Sequence, residues 1–145
     1  MVTVERQALV AFAPERMYAL VEDIESYPLF LPWCSRTEVA ARSAERTVAT
    51  IHVDFRGVQQ AFTTENRMRP GESIRMALVR GPFRSLAGEW RFHRLAAAGC
   101  RIELALAYEL ASPLLGRLAG PVFDHIANTF VDAFVRRAEA LDAKR

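Results

Sequence analysis

The chain has 145 residues, 51% of them apolar and 25% charged, enough for one compact domain spanning 1–145 that buries roughly two-thirds of its unfolded surface. Disorder, collagen-like repeats and low-complexity architectures are excluded by that composition and by only 7 Gly and 7 Pro. The net charge of +2, carried almost entirely by scattered arginines, predicts no DNA partner and no strong nucleic-acid field. Cys34 and Cys100 stand alone, without metal spacing, and read as two reduced thiols. The start MVTVERQALV lacks the pattern of a secretory leader, so a cytoplasmic protein is expected. A mean hydropathy of +0.03 is high for a small soluble domain and calls for a dense core or a lined cavity.

In chain order, residues 3–11 alternate loosely and predict a strand. Pro14 opens PERMYALVEDIESY, where Met17, Leu20, Val21 and Ile24 recur at helical spacing, predicting an amphipathic helix. The segment YPLFLPW, 27–33, is broken by Pro28 and Pro32 and predicts a short turn or helix carrying bulky groups. From Arg36 to Leu110 a period of two predicts six strands: a short one at 39–41, then 47–55, 58–64, 74–78, 86–92 and 102–110. Turn signals at Gly57, Arg69-Pro70-Gly71-Glu72, Gly81-Pro82 and Ala98-Gly99 separate most of them. Ser112-Pro113 then starts a helix running almost to the end, with an apolar stripe at Leu114, Leu115, Leu118, Val122, Phe123, Ile126, Ala127, Phe130, Phe134 and Leu141. Pro121 inside it predicts a kink. The order gives an α+β fold, an antiparallel sheet gripping one long helix.

Conventional catalytic signatures are missing. No Gly-x-Ser-x-Gly elbow, Walker or dinucleotide glycine pattern occurs. His52, His93 and His125 fall on unrelated elements and read as solvated or hydrogen-bonded residues. Glu22, Asp23 and Glu25 read as a solvated acidic surface, and the Glu and Arg residues of the strands as cross-strand pairs on the outer face. No catalytic residue, metal or cofactor is expected. Gly116 and Gly120 share a helix face; close packing on the sheet or room for a ligand each account for the missing side chains. Phe55, Phe62, Met76, Leu86, Trp90, Phe92 and Tyr108 fall on inner strand faces, where they form core or line an apolar pocket. Among Leu29, Phe30, Leu31 and Trp33, two readings stand: a rim that touches membrane or ligand, or a plug at one end of the core.

Three separated segments, ESYPLFLPWC, the central FTTEN with GPFRSLAGEWRF, and GPVFDHIANTFVDAFVRRA, resemble the coenzyme Q-binding, START-like family, which includes bacterial ribosome association toxins and polyketide cyclase-like proteins. The resemblance implies a helix-grip fold, in which a curved antiparallel sheet wraps the C-terminal helix around an apolar tunnel. It implies ubiquinone or a similar polyprenyl lipid as ligand, delivered without bond chemistry in support of respiration, with transient contact at the inner membrane. Carried onto this chain, it marks Phe30, Leu31, Trp33, Phe83, Leu118, Val122 and Phe123 as tunnel and mouth. Strand parity adds Tyr108, Gln60 and Thr64 as candidates for hydrogen bonds to quinone oxygens. The same resemblance implies two alternatives: an interaction protein that binds the large ribosomal subunit and blocks subunit joining, and a polyketide cyclase-like enzyme.

Overall fold

The computed structural model describes residues 1–144. Its elements are β1 (Val2–Val10), α1 (Pro14–Glu22), a 3-10 helix (Ile24–Leu29), β2 (Cys34–Arg42), β3 (Arg46–Phe55), β4 (Val58–Arg69), β5 (Ser73–Arg80), β6 (Phe83–Ala96), β7 (Gly99–Leu110) and α2 (Pro113–Ala143). The strands form one antiparallel sheet in the order β1-β7-β6-β5-β4-β3-β2. Everything from β2 to β7 is a meander; β1 alone pairs out of sequence, against β7, so α1 and the 3-10 helix cross from one sheet edge to the other. The curved sheet holds α2 against its inner face, the helix-grip arrangement.

Local chemistry explains the turns and ends. Arg56 and Gly57 link β3 to β4 with φ of 51° and 83°, the pair of left-handed residues that a two-residue hairpin needs to match strand twist. Ser112 caps α2 by accepting a hydrogen bond from the Leu115 amide at 3.1 Å, and Pro113 fills the first position, where no donor is needed. On the outer face, Arg75 and Arg91 flank Glu89, Arg46 and Arg67 flank Glu65, and Arg101 pairs with Glu103. These pairs account for the charged alternate positions of the strands.

Several elements depart from the periodicity. The first helix stops at Glu22, not Tyr27. Asp23 diverts the chain with ψ of 68°, and its carboxylate and carbonyl accept from Ser26 Oγ (2.6 Å) and Ser26 N (3.1 Å), local bonds that compete with the α-helix. The second strand is nine residues long, not three, because irregularities between Cys34 and Arg36 and between Val39 and Ala41 break the period of two. Glu22 and Glu25 are not merely solvated: Arg42 donates to Glu22 Oε1 at 3.1 Å and to Glu25 Oε2 at 2.6 Å, tying the α1 end to β2 and holding the Glu25 carboxyl below its usual range.

The first turns of α2 correct two further expectations. Leu114 and Leu118 are 58% and 66% exposed, and the buried stripe starts at Ala119. The period reports which side of a helix is apolar but not whether a neighbour covers it. A Cβ built on Gly116 or Gly120 meets nothing within 4 Å, so neither glycine serves a close approach. Gly116→Ala and Gly120→Ala are therefore each expected to stabilise the protein by about 1 kcal/mol, read as a higher urea midpoint at unchanged slope. A loss of stability would mean that these turns pack on something beyond the described residues.

Candidate functional site

Between the sheet and α2 lies a cavity that admits the centres of water-sized spheres over about 90 Å³. One buried water needs roughly 10–15 Å³ by that measure, so the space suits a ring-sized group, and a longer molecule needs its lining to yield. The lining can do so: Met68, Met76, Leu86 and Leu106 face it, and thioethers and leucines repack at small cost. One bare backbone position lets two lining side chains lie close to the sheet. At Gly88 on β6 a Cβ would lie 2.7 Å from Met76 Cε and 2.9 Å from Leu106 Cδ1, so both side chains lie down over the bare backbone instead of standing into the cavity.

Each wall follows from an element already described. β4 and β5 supply Phe62, Thr64, Asn66, Met68, Ile74 and Met76, while β6 and β7 supply Phe83, Leu86, Trp90, Leu104, Leu106 and Tyr108. α2 contributes Phe123, Ile126, Ala127 and Phe130, and the α1 to 3-10 junction contributes Val21, Glu22, Ile24 and Tyr27. Aromatic edges lock the walls: Phe83 packs on Phe123 at 4.9 Å and on Phe62 at 5.7 Å, and Trp90 packs on Phe134 at 5.4 Å. Gly81, at φ of 152°, brings the β5–β6 turn onto Phe62, where a Cβ would sit 2.6 Å from Phe62 Cβ. That close approach pins Phe62 against the cavity.

Of the residues proposed as ligand-binding, the fold brings Trp33, Phe62, Met76, Phe83, Trp90, Tyr108 and Phe123 to the cavity wall. The other six lie elsewhere. Phe92 backs Trp90, stacked at 6.2 Å, and faces Tyr18 of α1. Phe55 stacks on His125 at 5.5 Å, beyond the end of the cavity. Leu31 and Val122 are buried in the core without reaching it, and Leu118 points outward. Phe30 is half-buried on Phe134, with the Arg137 guanidinium 5.2 Å over its ring. Only Leu29, 72% exposed, has the character of a rim residue in this segment, because the 3-10 helix turns Tyr27 inward and the chain past it carries Leu31 and Trp33 inside.

Of the polar groups of the lining, strand parity names Thr64 and Tyr108, while Thr47 and Asn66 were missed in the sequence. Thr47, Thr64 and Asn66 are all buried, and Thr47 faces Asn66 across β3 and β4. Thr47 Oγ1 donates to Glu22 Oε1 at 3.2 Å, and Thr64 Oγ1 donates to Asn66 Oδ1 at 2.9 Å. The signal was available in parity: Thr64 and Asn66 share a strand face with Phe62 and Met68. Gln60, on the same parity, does not line the cavity. Tyr108 does, but its hydroxyl donates to Asp124 Oδ1, and burial and that carboxylate push its pKa up. Burial likewise raises Tyr27, whose hydroxyl donates to the Val21 carbonyl at 2.5 Å. Cys34, beside this region, is pushed up to about 11 by burial and is inert as a nucleophile near neutral pH. The histidines are engaged elsewhere, His52 with Glu38 at 2.8 Å and His93 with Glu103 at 3.2 Å.

Comparison with known proteins agrees with this geometry. The family described as polyketide cyclase / dehydrase and lipid transport matches residues 10–135. The chain is 43% identical over 136 residues to the ribosome association toxin RatA of Vibrio cholerae, covering 94% of each protein. It is 29% identical to the coenzyme Q-binding protein COQ10 homolog B of Xenopus laevis, covering 90% of this chain and 55% of that one. The crystal structure of the Zhui aromatase/cyclase from a Streptomyces species superposes with a TM-score of 0.81 at 19% identity, covering 95% of this chain and 93% of that one, a likeness of fold. With the sheet, the long helix and the apolar space between them all in place, this chain belongs to the polyketide cyclase / dehydrase and lipid transport family.

Proposed function

We propose that the protein binds a polyprenyl quinone such as ubiquinone, or a lipid like it, in the cavity and carries it without bond chemistry. The single observation behind this reading is an enclosed space walled by aromatic and aliphatic side chains with a short polar strip at Thr47, Thr64 and Asn66. That composition suits a molecule with an apolar body and a small polar head. Support for a carrier rather than an enzyme comes from the titratable groups. Glu22 is paired with Arg42, and the Tyr27 and Tyr108 hydroxyls are held protonated and bonded to the protein. Neither tyrosine is poised to take or give a proton near neutral pH. Among the described residues no helix is long and apolar enough to cross a membrane; delivery by transient contact at the inner membrane is part of the same proposal.

Native mass spectrometry with lipid extraction, on protein purified from its own or a related host, tests this directly. A stoichiometric polyprenyl quinone is expected. A protein that is empty and also refuses added quinone would reject the carrier reading.

The 43% identity to a protein named for ribosome association favours a second reading, association with the large ribosomal subunit. Here arginines such as Arg84 and Arg136 would meet phosphates. Co-sedimentation with ribosomal subunits that weakens steeply with salt would support it, and salt-independent or absent association would count against it.

A further inference from the structure

One amide of the cavity lining carries a donor with no partner among the described residues. Every hydroxyl of the lining spends its proton on the protein: Tyr27 on the Val21 carbonyl, Thr47 on Glu22, Thr64 on Asn66 Oδ1 and Tyr108 on Asp124. Asn66 Nδ2 makes no hydrogen bond among the described residues, and neither do the indole N–H groups of Trp33 and Trp90. Asn66 is only 8% exposed and stands on the inner face of β4 between Thr64 and Met68, so its amide protons face the cavity without a protein acceptor among the described residues. The orientation of that amide is determined by Thr64. With Oδ1 on the Thr64 hydroxyl at 2.9 Å, Nδ2 is the free end; turning the amide over would strand the Thr64 proton among apolar side chains.

We propose that Asn66 is the residue that reads the head of the ligand, donating from Nδ2 to an oxygen of the quinone ring. The proposal rests on the carrier reading above and deepens it. A quinone carbonyl brings the lone pairs that the Asn66 N–H group needs, and the isoprenoid tail brings none. Thr64 is a positioning residue: it holds the amide without touching the ligand.

Calorimetric titration with a short-tailed ubiquinone and with an isoprenoid hydrocarbon of the same tail length tests the proposal. The native protein is expected to bind the quinone about tenfold more tightly than the hydrocarbon, the order of discrimination that one net hydrogen bond supplies. Asn66→Leu, similar in size and without polar atoms, is expected to lose that tenfold for quinone and to bind the hydrocarbon as before. Thr64→Val is expected to weaken quinone binding severalfold while hydrocarbon binding stays unchanged, a signature that a purely structural role would not produce. Equal losses for quinone and hydrocarbon in Asn66→Leu, or no loss, would overturn the assignment. Native protein that binds quinone and hydrocarbon alike would overturn it while leaving the carrier reading standing. Native protein that binds neither would overturn the carrier reading itself.

Discussion

Trp90→Ala is expected to destabilise the protein by about 3–5 kcal/mol, the range for deleting a large aromatic from a packed interior. That is a large share of the roughly 5–15 kcal/mol by which small domains are stable. Trp90 is 1% exposed and sits where three structural units meet. It stacks on Phe92 of its own strand at 6.2 Å, meets Phe130 and Phe134 of α2 at 5.6 and 5.4 Å, and forms part of the cavity wall. Because the cavity already lies on one side, neighbours cannot collapse fully into the lost volume, which places the cost toward the upper end. Urea unfolding followed by far-ultraviolet dichroism measures it. Arg91→Ala, next along β6 on the outer face, removes only surface pairing to Glu89 and should leave the urea midpoint nearly unchanged. A cost for Trp90→Ala below about 1.5 kcal/mol would mean that the sheet and α2 are not joined through this ring.

The second large effect concerns binding rather than stability. Phe62→Asp is expected to weaken quinone affinity at least about a hundredfold while the protein stays folded, since an unpaired carboxylate on an apolar wall brings water that a ligand must displace. Phe62 suits this test better than Trp90. It is only half-buried, so an aspartate there keeps contact with solvent, yet it lines the cavity in edge contact with Phe83 and Phe123. Arg136→Glu, on the exposed side of α2, is the control expected to bind normally. Equal affinities for both variants, measured by the same titration, would detach the cavity from ligand binding. Loss in both would implicate the arginine face of α2 in quinone binding as well.

These two residues illustrate how much was legible without coordinates. Trp90 and Phe62 were both placed on inner strand faces by alternation alone, and the structure puts both on the cavity wall. Phe55 and Phe92 obeyed the same alternation and missed the cavity. Parity assigns a side chain to a face of the sheet but not to a height along it, and Phe55 falls past one end of the cavity while Phe92 falls behind Trp90 under α1. Asn66 was overlooked for the complementary reason. A polar residue in a strand reads as solvent-facing until its neighbours on the same face, Phe62 and Met68, are weighed with it.

By itself the sequence determined the element order, the α+β class, the capped start of α2 at Ser112 and the family, because each depends on local chemistry or on motifs contiguous in the chain. Tertiary structure alone decided which part of the apolar surface encloses space. Leu118 lies on the helix stripe yet faces outward, Leu31 belongs to the apolar run yet fills solid core, and Gly88 carried no local signal although its missing side chain lets Met76 and Leu106 fold away from the cavity. A cavity is a difference between the volume a curved sheet encloses and the volume its side chains occupy. That difference depends on bulges, on one glycine and on how far α2 projects beyond the sheet, and hydrophobic period records none of these.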